Sequence, residues 1–152
     1  MKKIFLFPLL AILFASCSNS EKTSDPIADL STKTNMVIQS DWKVTQYIDS
    51  GQDETSDFAG YSFTFNTDGS FVAVSAAATF AGSWALATGS NSPDDSGNSG
   101  SDDNLDKLTI TISGNKRMDD LSHKWLVEKI TATEIWLRDD NVASNELIRF
   151  GK

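Results

Sequence analysis

The sequence predicts an all-β domain of eight antiparallel strands with no substantial helix. Three observations point there. Apolar and polar residues alternate with period two from Met36 onward, most cleanly in Tyr61-Ser62-Phe63-Thr64-Phe65. Turn-forming runs such as Asn66-Thr67-Asp68-Gly69 and Asp139-Asp140-Asn141 interrupt the alternation. A chain of 152 residues, 39% of them hydrophobic, has room for one domain around a single core.

The strands follow in order. The first carries Trp42, Val44 and Ile48 on one face and Lys43, Thr45 and Asp49 on the other. An acidic, polar loop runs from Gly51 to Gly60. The second strand is Tyr61–Phe65, and the turn after it ends in Gly69, which takes positive φ without steric cost. The third strand spans Ser70–Ala76. The fourth spans Thr79–Leu86 and carries Phe80 and Trp84, with Ala76-Ala77-Ala78 as the bend between them. Residues 88–104 are a Ser/Gly/Asp/Asn stretch too polar to pack, so a mobile loop is expected. A fifth strand, about Leu105–Ser113, places Leu108, Ile110 and Ile112 on one face. Gly114–His123 is irregular, with a short helical turn at Met118–Leu121. The last three strands are expected near Lys124–Ile130, Glu134–Arg138 and Asn145–Phe150.

The N-terminus has a different character. Lys2 and Lys3 precede a nearly unbroken apolar run, Ile4 to Ala15, which is the layout of a secretory signal. The run is shorter than the roughly 20 residues a membrane-spanning helix needs. Ala15-Ser16-Cys17 resembles the lipobox of bacterial lipoproteins. That resemblance implies cleavage after Ser16, a diacylglycerol on the Cys17 thiol and acylation of the new amino group. Stable anchoring takes at least two acyl chains, at about 0.8 kcal/mol for each buried CH₂. The plainer reading is an ordinary signal with an incidental cysteine, but Cys17 is the only cysteine of the chain. Three segments result: a lipoprotein signal over 1–16, lipidated Cys17 with a flexible tether over 17–35, and the β domain over 36–152. Ser18 stands where an Asp would retain a Gram-negative lipoprotein in the inner membrane. The resemblance therefore implies a cell-envelope protein held at the outer membrane, on its periplasmic face or at the cell surface.

Charge and cysteine count exclude several classes of function. The net charge is -8, from 13 basic and 21 acidic residues, and loss of Lys2 and Lys3 makes it more negative. Such a chain repels phosphate backbones, so no nucleic-acid partner is expected. One cysteine leaves no intramolecular disulfide, no iron–sulfur cluster and no cysteine-based zinc site.

Several stretches resemble the lipocalin-like domain of small secreted bacterial lipoproteins. Asp41-Trp42-Lys43-Val44 resembles its opening strand, and Phe58 to Gly69 its second strand and turn. Gly82-Ser83-Trp84 resembles its Gly-x-Trp, while Trp125-x-Val127, Ile135-x-Leu137 and Leu147-Ile148-Arg149-Phe150 follow its closing strands. The resemblance covers about residues 38–152. It implies an eight-stranded up-and-down antiparallel lipocalin-like barrel, a fold whose interior is either filled by side chains or open to one small ligand.

Chemistry-bearing residues are few. His123 lies near Asp119 and Asp120, a thin ligand set, and a solvated surface histidine is the simpler reading. Asp94-Asp95 and Asp102-Asp103 share a Gly-rich loop without the spacing of an EF-hand, so a charged, solubilising loop is favoured over a calcium site. No recognisable nucleophile–base motif or phosphate-binding loop is present. The expectation is therefore a non-enzyme, with no catalytic residue, metal or cofactor assigned. Trp42, Tyr61, Phe63, Phe65, Phe80, Trp84 and Trp125 are the candidates to line a pocket for a small apolar ligand. Their other reading is a packed core. A filled barrel would leave the domain as an interaction module for an envelope protein or a glycan.

Overall fold

The computed structural model describes residues 26–89 and 105–152. The chain begins there with a helix, α1 (Pro26–Val37), followed by β1 (Asp41–Asp49), the two-residue β2 (Gln52–Asp53), β3 (Ser62–Phe65), β4 (Ser70–Val74) and β5 (Thr79–Ala87). After the undescribed segment come β6 (Lys107–Ile112), a one-and-a-half-turn helix α2 (Lys116–Leu121), β7 (Lys124–Ile130), β8 (Glu134–Asp139) and β9 (Leu147–Gly151).

Neighbouring strands pair antiparallel in the order β2-β1-β3-β4-β5-β6-β7-β8-β9, and β1 also pairs with β9. That last pairing, from Lys43↔Gly151 to Ile48↔Leu147, closes the sheet. Eight strands therefore form a closed antiparallel barrel, with β2 as a short addition outside the ring. Closure leaves the ring without bare sheet edges. The alternation read from the sequence sets which face points inward. Phe63 and Phe65 on β3, Phe71 and Ala73 on β4, Leu108, Ile110 and Ile112 on β6, and Ile148 and Phe150 on β9 are all buried in one core.

Two helices complete the ends. At the end where β1 starts, α1 brings Val37 into the core, and the Trp42 indole donates to the Val37 carbonyl at 2.8 Å. Lys33 holds the same helix in place, 2.6 Å from Asp29 and 2.7 Å from Asp106. Burial works against the Lys33 ammonium, but the two carboxylates outweigh it and raise its pKa above the usual value. At the opposite end, α2 is capped by Asn115, whose side chain accepts from the Met118 N–H at 3.1 Å. Its Met118 and Leu121 are fully buried. Ser122 hydrogen-bonds both backbone groups of Ile112, and the Trp125 indole donates to the Leu121 carbonyl at 3.2 Å.

Two differences from the sequence reading have physical causes. Residues 26–35, expected to be flexible tether, belong to α1. The helix is largely polar, but Pro26 fits its first position and Val37 and Lys33 give it tertiary anchors. In β1 the pairing slips between Val44 and Gln46, so Thr45 is an extra residue, and its hydroxyl donates to the Arg149 carbonyl at 3.2 Å. The bulge reverses the phase of the strand. Tyr47 is the buried residue of its second half, and Ile48, expected inside, is only half-buried.

The signal segment, Cys17 and the loop from residue 90 to residue 104 lie outside the described residues. Among the described residues, no helix is long and apolar enough to cross a membrane.

Candidate functional site

The seven aromatic candidates converge on the barrel interior. Trp42, Tyr61, Phe63, Phe65 and Trp125 are buried members of the core, and Phe80 and Trp84 pack against it half-buried. Tyr61, Phe63, Phe65, Phe80 and Trp84 make ring-to-ring contacts within the interior. Phe65 lies 4.7 Å from Phe71, 5.4 Å from Trp84 and 5.9 Å from Phe150, centroid to centroid. Phe63 lies 5.9 Å from Phe71 and 5.6 Å from Phe150. These are packing distances for edge-to-face and offset rings. The polar handles are also occupied within the protein, since the Trp84 indole donates to the Asn66 carbonyl at 2.9 Å. Trp42 and Trp125 are likewise satisfied by Val37 and Leu121.

Gly82 explains how β5 fits. A Cβ there would collide with the Thr111 carbonyl oxygen and lie 2.9 Å from two Ile112 atoms. The Gly82-Ser83-Trp84 motif thus joins a close strand approach to an indole that clasps the Asn66–Gly69 turn. The Trp84 backbone N–H donates to the Gly69 carbonyl at 2.8 Å.

One aromatic residue points the other way. Trp136 sits on β8 between the buried Ile135 and Leu137 and is partly exposed on the outer face. Lys129 stands 4.4 Å from its ring centroid and Arg149 4.2 Å. The cations come from the flanking strands, through the cross-strand pairs Lys129↔Trp136 and Trp136↔Arg149. The result is an indole between two cationic side chains, of which Lys129 is also ion-paired with Glu134 at 2.6 Å. Strand alternation already places Trp136 outside; its cationic neighbours become evident only from the cross-strand register.

A polar cluster occupies the end of the barrel closed by α2. Here β1 and β8 end, and β7 and β9 begin. His123 immediately precedes β7, Asp139 is the last residue of β8, and Glu146 immediately precedes β9. One ligand-type atom from each of the three lies within 4.8 Å of the others, and all three side chains are half-buried. The histidine expected beside Asp119 and Asp120 thus faces carboxylates that are remote in sequence. The Tyr47 hydroxyl donates to Glu146 Oε1 at 3.0 Å. Burial raises the Glu146 pKa, and the nearby Asp139 and Asp49 carboxylates add to the effect against the Tyr47 hydrogen bond and the His123 field. Burial also raises the Tyr47 phenol, reinforced by Glu146. At Asp139 burial acts upward too, but hydrogen bonds from the Ser144 hydroxyl and the Asn141 N–H prevail and lower the pKa.

The chain is similar to a DUF4847 family protein from Bacteroides vulgatus, with 12% identity and a TM-score of 0.49 over 77% of this chain and 94% of that one. No family model matches the sequence, and no curated protein matches it. The closed eight-stranded barrel agrees with the architecture implied by the lipocalin-like resemblance.

Proposed function

We propose that the chain is a lipid-anchored, non-catalytic envelope protein whose barrel binds partners on its outer surface and not in its lumen. The observation that carries this reading is the filled interior. Tyr61, Phe63, Phe65, Phe80 and Trp84 are in ring-to-ring contact, and the indole N–H groups of Trp42, Trp84 and Trp125 are already bonded to backbone carbonyls. An apolar ligand in that space would have to displace packed rings, at the cost that opening a close-packed core entails. The anchoring part of the proposal rests on Ala15-Ser16-Cys17 after an apolar run. Attachment at Cys17 and the residue that follows it favour the outer membrane.

Trp136 between Lys129 and Arg149 is the outward feature that best fits a partner. Lys129 is already paired with Glu134 at 2.6 Å, so it is the flat ring beside the Arg149 guanidinium that suits an anionic sugar or an acidic segment of another envelope protein.

Native mass spectrometry of the purified full chain tests the reading. The expected species is the protein with its own acyl chains and no further molecule. A stoichiometric, co-purified apolar compound would overturn it and restore the alternative, a carrier of a small apolar ligand lined by the seven inward aromatics.

A further inference from the structure

We infer that His123, Asp139 and Glu146 form a binding site for a divalent first-row transition-metal ion at the α2 end of the barrel. The argument begins with placement. The three donors stand at the same end of three adjacent strands, and their ligating atoms lie within 4.8 Å of one another. Bonds of about 2.0–2.2 Å from a metal to nitrogen and oxygen donors put neighbouring ligand atoms roughly 3.0–3.5 Å apart. Small side-chain rotations are enough to close that difference.

The framework behind the donors is fixed. The Asp139 N–H donates to the Glu146 carbonyl at 3.0 Å, and Asp139 pairs across strands with Trp125, two residues after His123. The His123 carbonyl accepts from the Ile110 N–H at 3.0 Å. The ligands therefore project from hydrogen-bonded strand ends, the kind of support that holds a site in register.

The donor set selects the ion. Imidazole is a ligand for zinc, copper, iron or nickel and a poor one for calcium or magnesium, which take oxygen. Two carboxylates match the charge of a divalent cation. Asp49 and Asp120 add to the negative field around Tyr47, and Asp49 does so at Glu146 as well. An outer layer of orienting groups is present too: Tyr47 donates to Glu146, and the Asn141 N–H to Asp139 at 3.4 Å. Three protein ligands leave a coordination position for water or for a donor from a partner.

The chain has one histidine, so its two ring nitrogens report on the site without ambiguity. The untagged full chain is titrated with Zn²⁺, followed by the imidazole ¹⁵N resonances and by calorimetry. The expected result is a shift of a ring nitrogen that saturates at one equivalent. Glu146→Gln retains an acceptor for Tyr47 and is expected to weaken Zn²⁺ binding at least about tenfold, as His123→Gln does. Asp119→Asn, on the exposed side of α2, is expected to leave it unchanged. Circular dichroism verifies that each variant is folded. Imidazole resonances that do not move at saturating Zn²⁺ would overturn the proposal. So would binding that survives Glu146→Gln, or Ca²⁺ binding as tight as Zn²⁺ binding.

Discussion

The indole of Trp42 donates to the carbonyl of Val37 at 2.8 Å, and so ties the last residue of α1 to the first inward side chain of the barrel. Both residues are fully buried. Trp42→Phe keeps most of the ring but orphans that carbonyl, so a loss of about 1–3 kcal/mol is expected. Trp42→Ala adds a cavity, and a loss of about 3–5 kcal/mol is expected. Urea unfolding of the two variants checks both the size and the order of these effects.

Gly82→Ala puts a methyl group against the Thr111 carbonyl oxygen and the Ile112 backbone across the β5–β6 ladder. Backbone on a paired strand yields little. A loss of about 1–3 kcal/mol is expected, of the size overpacking causes. A melting temperature equal to that of the parent would mean that the two strands are further apart than described.

Tyr47→Phe removes the donor to Glu146 Oε1 and leaves the half-buried carboxylate less well solvated. A destabilisation of about 1–2 kcal/mol is expected at neutral pH, measured by chemical denaturation.

Lys33 provides a test by pH. Its folded pKa lies above 10.5, because Asp106 and Asp29 hold the ammonium against burial. Such a group stabilises the fold fully below the unfolded value and loses that contribution as pH rises through the folded value. Lys33→Met should therefore cost about 0.5–1 kcal/mol between pH 7 and 9, the range of a partly exposed ion pair. The gap between the two proteins should shrink above pH 10.5. A gap that stays constant into that range would show that Lys33 contributes through packing alone.

Cys17→Ala is expected to move the chain from the membrane fraction to the soluble fraction when cells are fractionated, because no acyl chain can then be attached.

Regular alternation made most of the barrel legible in the sequence. Lys124–Ile130 is β7 with the same bounds, and Leu108, Ile110 and Ile112 face the core as their spacing implies. Where the period breaks, sequence reasoning lost the phase. Strict alternation from Trp42 leads through Val44 to Gln46 and Ile48. The polar Gln46 on the inward phase was the signal of a bulge, and the bulge is what turns Tyr47 inward. The α1 helix was missed because its residues are mostly polar, and its anchors, Asp106 and the core around Val37, come from distant parts of the chain. The polar end site was hidden for the same reason. His123, Asp139 and Glu146 share no local motif, and only the β7–β8–β9 register brings them together. The aromatic set was legible as a group of residues, whereas its packing required coordinates.

The seam between β1 and β9 bears on how the molecule is made. Residues 43–48 pair with residues 147–151, about a hundred positions later in the chain. A nascent polypeptide that has not yet reached residue 147 lacks the piece that completes the ring. The ring therefore cannot close before residues 147–151 have been made. The same arrangement means that a stop codon placed just before residue 147 removes the strand that joins β1 to β8 and leaves the ring open.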